Sequence, residues 1–128
     1  ALMMGLRLEE NFNRPYLATN LIDFWSRWHM TLTSWCRDYV YQPISAVTRN
    51  PAIGVFAGML VLGLWHEFSV YYVLWAVWQS IGIILTHILK DSAVPNLHPL
   101  LRRVGGAIIV LSWLSLAQPV IRSILLLI

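Results

Sequence analysis

Residues 52–89 read AIGVFAGMLVLGLWHEFSVYYVLWAVWQSIGIILTHIL. Ala52 to Trp65 is an unbroken apolar run of 14 residues. Crossing the hydrocarbon core of a bilayer takes about 20 residues of helix. The first run is therefore read as a short or re-entrant span over 52–66. His66 and Glu67 interrupt it, and residues 68–89 then supply a full-length apolar span rich in Trp and Tyr. An ionisable pair inside so apolar a stretch is costly, about 2.5–3.5 kcal/mol for a charge at the centre of a span. That cost makes His66 and Glu67 the first candidates for function.

Working outward, residues 104–128 form a second long apolar span, marked by Gln118-Pro119 and Arg122. Residues 90–103 read as a polar loop carrying Lys90, Pro95, Pro99, Arg102 and Arg103. On the N-terminal side, residues 44–51 read as a connector. Residues 20–41 read as one amphipathic or cavity-lining helix before the spans. Asn20 is its expected N-cap, Asp23 sits three residues on, and Pro43 is expected to stop it. Trp25, Trp28, Leu32, Trp35 and Tyr39 recur at steps of three and four and form one stripe. Asp23 and Arg27 stand as an acid-before-base pair one turn apart. Residues 1–16 read as a short apolar start followed by a loop.

Composition agrees with a bilayer as solvent. Of 128 residues, 58% are hydrophobic and 12% are charged, against about 25% charged in a soluble domain. The formal net charge is +3, but Lys and Arg are scattered, with no run beyond Arg102-Arg103. That excludes the basic patch a nucleic-acid partner needs. The single cysteine, Cys36, excludes a disulfide within the chain. The expected fold is all-α: part of a multi-pass membrane helical bundle in the cell (inner) membrane. Both ends fall in apolar sequence, so 1–128 is expected to be a piece of one larger domain, inactive by itself.

A histidine shielded from water stays neutral, and neutral imidazole is the form a general base needs. His66 fits that role; its bland alternative is a neutral histidine bonded to a neighbouring helix, with Glu67 at a membrane edge. A zinc-protease reading of His66-Glu67 requires a second histidine at position 70, which is Val70. No metal site is expected. His29 falls at the edge of the aromatic stripe, near Trp25 and Cys36 on a helical wheel. His87 and His98 read as structural.

Two segments resemble the membrane-bound O-acyltransferase family. One runs from Asn11-Phe12-Asn13-Arg14-Pro15-Tyr16 through Trp25-Ser26-Arg27-Trp28-His29 to Tyr41. The other is Gly63-Leu64-Trp65-His66. The similarity is to the bacterial branch, which includes alginate O-acetyltransferases and teichoic acid D-alanyl transfer proteins. Two positions depart from that branch: Glu67 stands where Gly usually follows the histidine, and Pro43-Ile44-Ser45-Ala46 stands where a Gly pair is usual.

The resemblance implies a catalytic His66, with His29 lining the same chamber. It implies substrate contacts from Trp25, Arg27, Trp28, Trp65 and Glu67. The implied reaction moves an acyl group, by analogy acetyl, from acyl-CoA or a carrier-bound thioester to a hydroxyl of an exported polysaccharide or envelope polymer such as alginate. No bound cofactor is implied; the partners are the donor, the acceptor, the lipid bilayer and a secreted acetyl-transfer protein. The alternative from another class is a transporter or channel fragment whose His-Glu pair relays protons or binds substrate. A third reading is a purely structural bundle subunit.

Overall fold

In a computed structural model, residue 5, residues 9–89 and residues 98–127 are described. The expected apolar start at 1–8, apart from Gly5, the 90–97 part of the polar loop and Ile128 lie outside them. The described residues are all helical apart from short turns and one isolated bridge. Six α-helices follow in order: α1 (Leu21–Arg27), α2 (Met30–Cys36), α3 (Gln42–Thr48), α4 (Pro51–His66), α5 (Val70–Leu89) and α6 (Pro99–Leu125).

Helix α1 starts as its sequence predicts. The Asn20 side chain accepts from the Asp23 backbone N–H at 2.8 Å, and Asp23 accepts from the Thr19 N–H at 3.2 Å. The first bond satisfies a donor that a helix N-terminus leaves orphaned, and the second ties the residue before the cap to the first turn. Arg27 closes onto Asp23 at 2.6 Å.

The single helix expected over 20–41 is broken. Trp28 is extended (φ −107°, ψ 127°) and His29 is left-handed (φ 48°, ψ 49°). A left-handed residue with a Cβ costs roughly 1–2 kcal/mol. A strap from upstream offsets that cost: Phe12 forms an antiparallel bridge with Trp28, Asn13 N–H donates to the Arg27 carbonyl at 2.9 Å, and Met30 N–H donates to the Asn11 carbonyl at 2.9 Å.

Pro43 does not stop the helix. The chain passes from α2 through a π-turn (Arg37–Tyr41) directly into α3, so residues 44–48 are helix rather than connector. In a regular α-helix the Pro43 ring would collide with the carbonyl four residues back. The wider π-turn relieves that clash. Helix α3 ends instead at left-handed Arg49 (φ 53°), and Asn50 caps α4 by accepting from the Ala52 N–H at 3.0 Å.

Helix α4 is about 24 Å long at 1.5 Å per residue, short of the hydrocarbon core. Glu67–Ser69 reverse the chain, and α5 returns alongside α4 as an antiparallel hairpin. Gly63 sits at the contact: a Cβ there would lie 2.8 Å from the Tyr72 carbonyl oxygen. Helix α6 begins at Pro99, five residues before the expected 104, because His98 caps it, its Nδ1 accepting from the Leu100 N–H at 3.3 Å. Arg102 and Arg103 therefore lie on a helix. Trp78 stacks on Trp113 with centroids 4.4 Å apart and donates its indole N–H to the Trp113 carbonyl, tying α5 to α6.

Helices α5 and α6 are each long and apolar enough to cross a membrane. Their outer faces leave large apolar side chains uncovered, among them Ile81, Leu85, Ile108 and Ile109, which suits lipid. The core between helices holds Phe24, Trp25, Cys36, Met59 and Leu62. Burial pushes the Cys36 thiol above its ordinary range, and the side chain is 3% exposed. Only the thiolate is nucleophilic. In detergent at pH 7.5, Cys36 is therefore expected to react with a maleimide at least about 10-fold more slowly than after denaturation. Equal rates before and after denaturation would show that this part of the core is open.

Candidate active site

The last turn of α4 carries Trp65 and His66, and the hairpin brings the first turns of α5 against them. The His66 ring stacks almost parallel on Tyr72, with centroids 5.3 Å apart and planes 13° off. Trp65 stands edge-on to His66 at 4.9 Å, and Trp75 lies at 6.3 Å.

The break between α1 and α2 supplies the other side. His29 stands edge-on to Trp65 at 5.9 Å. Phe12 of the strap contacts both His29 (5.1 Å) and Trp28 (4.9 Å). One indole is therefore flanked by two imidazoles that are 37 residues apart in sequence. Had residues 20–41 formed one straight helix, the position-29 side chain would leave from a different face of it.

Among the described residues, no hydrogen bond engages a ring nitrogen of His29 or His66. A general base must reach a proton donor at about 2.6–3.2 Å; His66 is exposed among the described residues, and His29 is half-buried.

The other expected site residues take separate places. Trp25 is buried and edge-on to Trp75 at 5.8 Å; its indole N–H has no partner among the described residues. Trp28 stacks on Phe24 at 5.6 Å and keeps 38% of its surface exposed. Arg27 is held by Asp23 and is not among the rings around Trp65. Glu67 is exposed in the hairpin turn, where its backbone N–H donates to the Gly63 carbonyl at 3.4 Å.

His66 ends α4 at the boundary expected for a short or re-entrant span over 52–66, and among the described residues it is exposed, as is Glu67. The reversal at Glu67–Ser69 makes the interruption in the apolar run the tip of a hairpin.

Sequence reading missed Tyr72, Trp75, Phe12 and Asn11 as neighbours of the histidines. Tyr72 and Trp75 follow His66 by six and nine residues, and only the tight turn brings them back. The signal that was available is Ser69, a helix-starting residue type three positions after His66. Near the site, a cavity of about 110 Å³ lies between α2 and α4, with Leu62, one turn before His66, in its wall.

Comparison with known proteins places the same residues in context. The family model described as MBOAT, membrane-bound O-acyltransferase family, matches residues 1–122. The chain is 35% identical over 116 residues to the Pseudomonas aeruginosa protein named "Probable alginate O-acetylase AlgI", covering 88% of this chain and 22% of that one. It is 30% identical over 116 residues to the "Teichoic acid D-alanyltransferase" of Streptococcus thermophilus, covering 77% and 28%. It is 27% identical over 126 residues to the "Peptidoglycan O-acetyltransferase" of Helicobacter pylori, covering 95% and 24%. The chain thus spans about a quarter of the length of the curated relatives it matches.

Proposed function

The chain belongs to the membrane-bound O-acyltransferase family, and from that premise we propose that it carries the catalytic histidine of a multi-pass inner-membrane enzyme that acylates an exported or envelope polymer. The donor is a thioester, acyl-CoA or a carrier-bound acyl group. The acceptor is a hydroxyl, and the acyl group is acetyl. The observation that carries the reading is the pair of imidazoles, His29 and His66, each standing edge-on to Trp65.

Neutral His66 takes the acceptor hydroxyl proton as that oxygen attacks the thioester carbonyl. The new carbon–oxygen bond forms and the carbonyl electrons move onto oxygen. Donors aimed at that oxygen stabilise it, and the exposed Trp65 indole N–H is one available group. The intermediate collapses, the carbon–sulfur bond breaks, and the thiolate leaves. The imidazolium returns its proton to sulfur, so the base is regenerated. His29 orients the acceptor across Trp65. Trp25, Trp28 and Arg27 support the chamber wall, and Glu67 lies at the acceptor's approach. A secreted acetyl-transfer protein is a partner of the same scheme.

The deciding experiment uses the full-length protein in sealed membrane vesicles, given radiolabelled acetyl thioester and an envelope polysaccharide fraction. Label is expected in the polymer, with one free thiol released per ester formed. Solute or proton flux with no donor consumed would favour the transporter reading and overturn this one.

A further inference from the structure

The geometry points to Asn11 as the residue that positions His29, through a hydrogen-bonded clamp on the broken helix. This rests on the reading of His29 as part of the reaction chamber.

Helix α2 begins at Met30 immediately after His29, and the His29 side chain makes no capping bond. An Asn, Asp, Ser or Thr at that position would cap the helix itself. Here the first N–H groups of α2 are satisfied from twenty residues upstream. The Asn11 carbonyl accepts from Met30 N–H at 2.9 Å. The Asn11 side-chain oxygen accepts from Thr31 N–H at 3.2 Å and also from the Thr31 hydroxyl. One residue therefore serves the two backbone donors that follow His29.

The consequence falls on the imidazole. Because Asn11 supplies the cap, the residue at position 29 is free to be a histidine, with its ring turned to Trp65. The clamp also holds His29 in its left-handed conformation (φ 48°). Residues in that region persist only where surrounding bonds over-determine them. The Thr33 hydroxyl donates to the Trp28 carbonyl at 2.9 Å, and Asn13 N–H to the Arg27 carbonyl, so the break is pinned on both sides. Without the Asn11 side-chain oxygen, the Thr31 N–H and hydroxyl lose their acceptor, and the turn that aims the position-29 ring at Trp65 is held less tightly. Asn11 touches neither donor nor acceptor in this scheme.

The test is a coupling cycle on acetyl transfer by the full-length protein in membranes. Asn11→Leu keeps the side chain's bulk and removes the acceptor. It is expected to lower kcat about 10- to 100-fold with the donor KM within about twofold, the signature of a misplaced group. Asn11→Asp keeps an acceptor oxygen and is expected to stay within about threefold of the parent. In a His29→Gln background, Asn11→Leu is expected to change kcat by less than about twofold, because the two act as one unit. An equal loss in both backgrounds overturns the proposal, as does full activity of Asn11→Leu. A fully active His29→Gln overturns the role of His29 itself and the clamp with it. If Asn11→Leu fails to accumulate, Thr31→Val, which removes only the hydroxyl bond, is run through the same cycle. A loss of about threefold to tenfold that vanishes in His29→Gln supports the clamp, and no loss or an undiminished one overturns it.

Discussion

Replacing His66 with alanine in the full-length protein is expected to lower acetyl transfer by about 10²- to 10⁴-fold, the range a positioned general base supplies. The effect is expected in kcat, with donor KM nearly unchanged, because proton removal belongs to the transition state. Folding should not confuse the result. His66 is exposed and ends its helix, so truncating it opens no cavity in the core. What it gives up is the stack on Tyr72 and the edge contacts with Trp65 and Trp75, each worth about 0.5–1.5 kcal/mol at most for aromatic pairs. The measurement is initial rate per unit of protein in the membrane. A rate within threefold of the parent, at equal protein level, would remove His66 from the mechanism.

The second large effect is expected at Gly63. An alanine in a helix normally gains roughly 0.5–1 kcal/mol over glycine. At Gly63 the added Cβ would lie 2.8 Å from the Tyr72 carbonyl oxygen and 3.4 Å from Trp75 Cε3. The nearer atom is backbone of the facing helix and cannot swing aside. Overpacking of that kind costs about 1–3 kcal/mol, so the contact outweighs the propensity and the sign is destabilising. The shift also moves Tyr72, which stacks on His66, so activity should fall with stability. Gly63→Ala is thus expected to lower the detergent melting temperature and to cut acetyl transfer about 10-fold or more, since small displacements at a reacting centre are expensive. A melting temperature raised by the substitution would show that α4 and α5 do not meet as closely as described.

The Gly63 prediction depends on a contact between helices, and that is where sequence reading was weakest. The stripe from Trp25 to Tyr39 runs at helical spacing without a Gly or Pro at its centre. Nothing local announces a break at Trp28–His29, because the bonds that compensate it come from Asn11 and Asn13. Pro43 misled in the opposite direction. It is a local stop signal, and a five-residue π-turn lets the helix run past it. By contrast, Asn20 caps its helix as its position predicts, since a cap needs only the next two or three residues.

Sequence by itself determined the helical class and the apolar character of the spans, and through the family resemblance of the Trp-Ser-Arg-Trp-His and Gly-Leu-Trp-His segments it singled out His29 and His66 as candidates. All of these are properties of neighbouring residues. Tertiary structure alone decided that Tyr72 and Trp75 return to His66 and that His29 stands against Trp65, beside it. The physical reason is range. Periodicity and capping act within a turn or two of helix, whereas the packing of His29 and Tyr72 around Trp65 and His66 depends on a strap pairing twenty residues away and on one glycine that lets two helices touch.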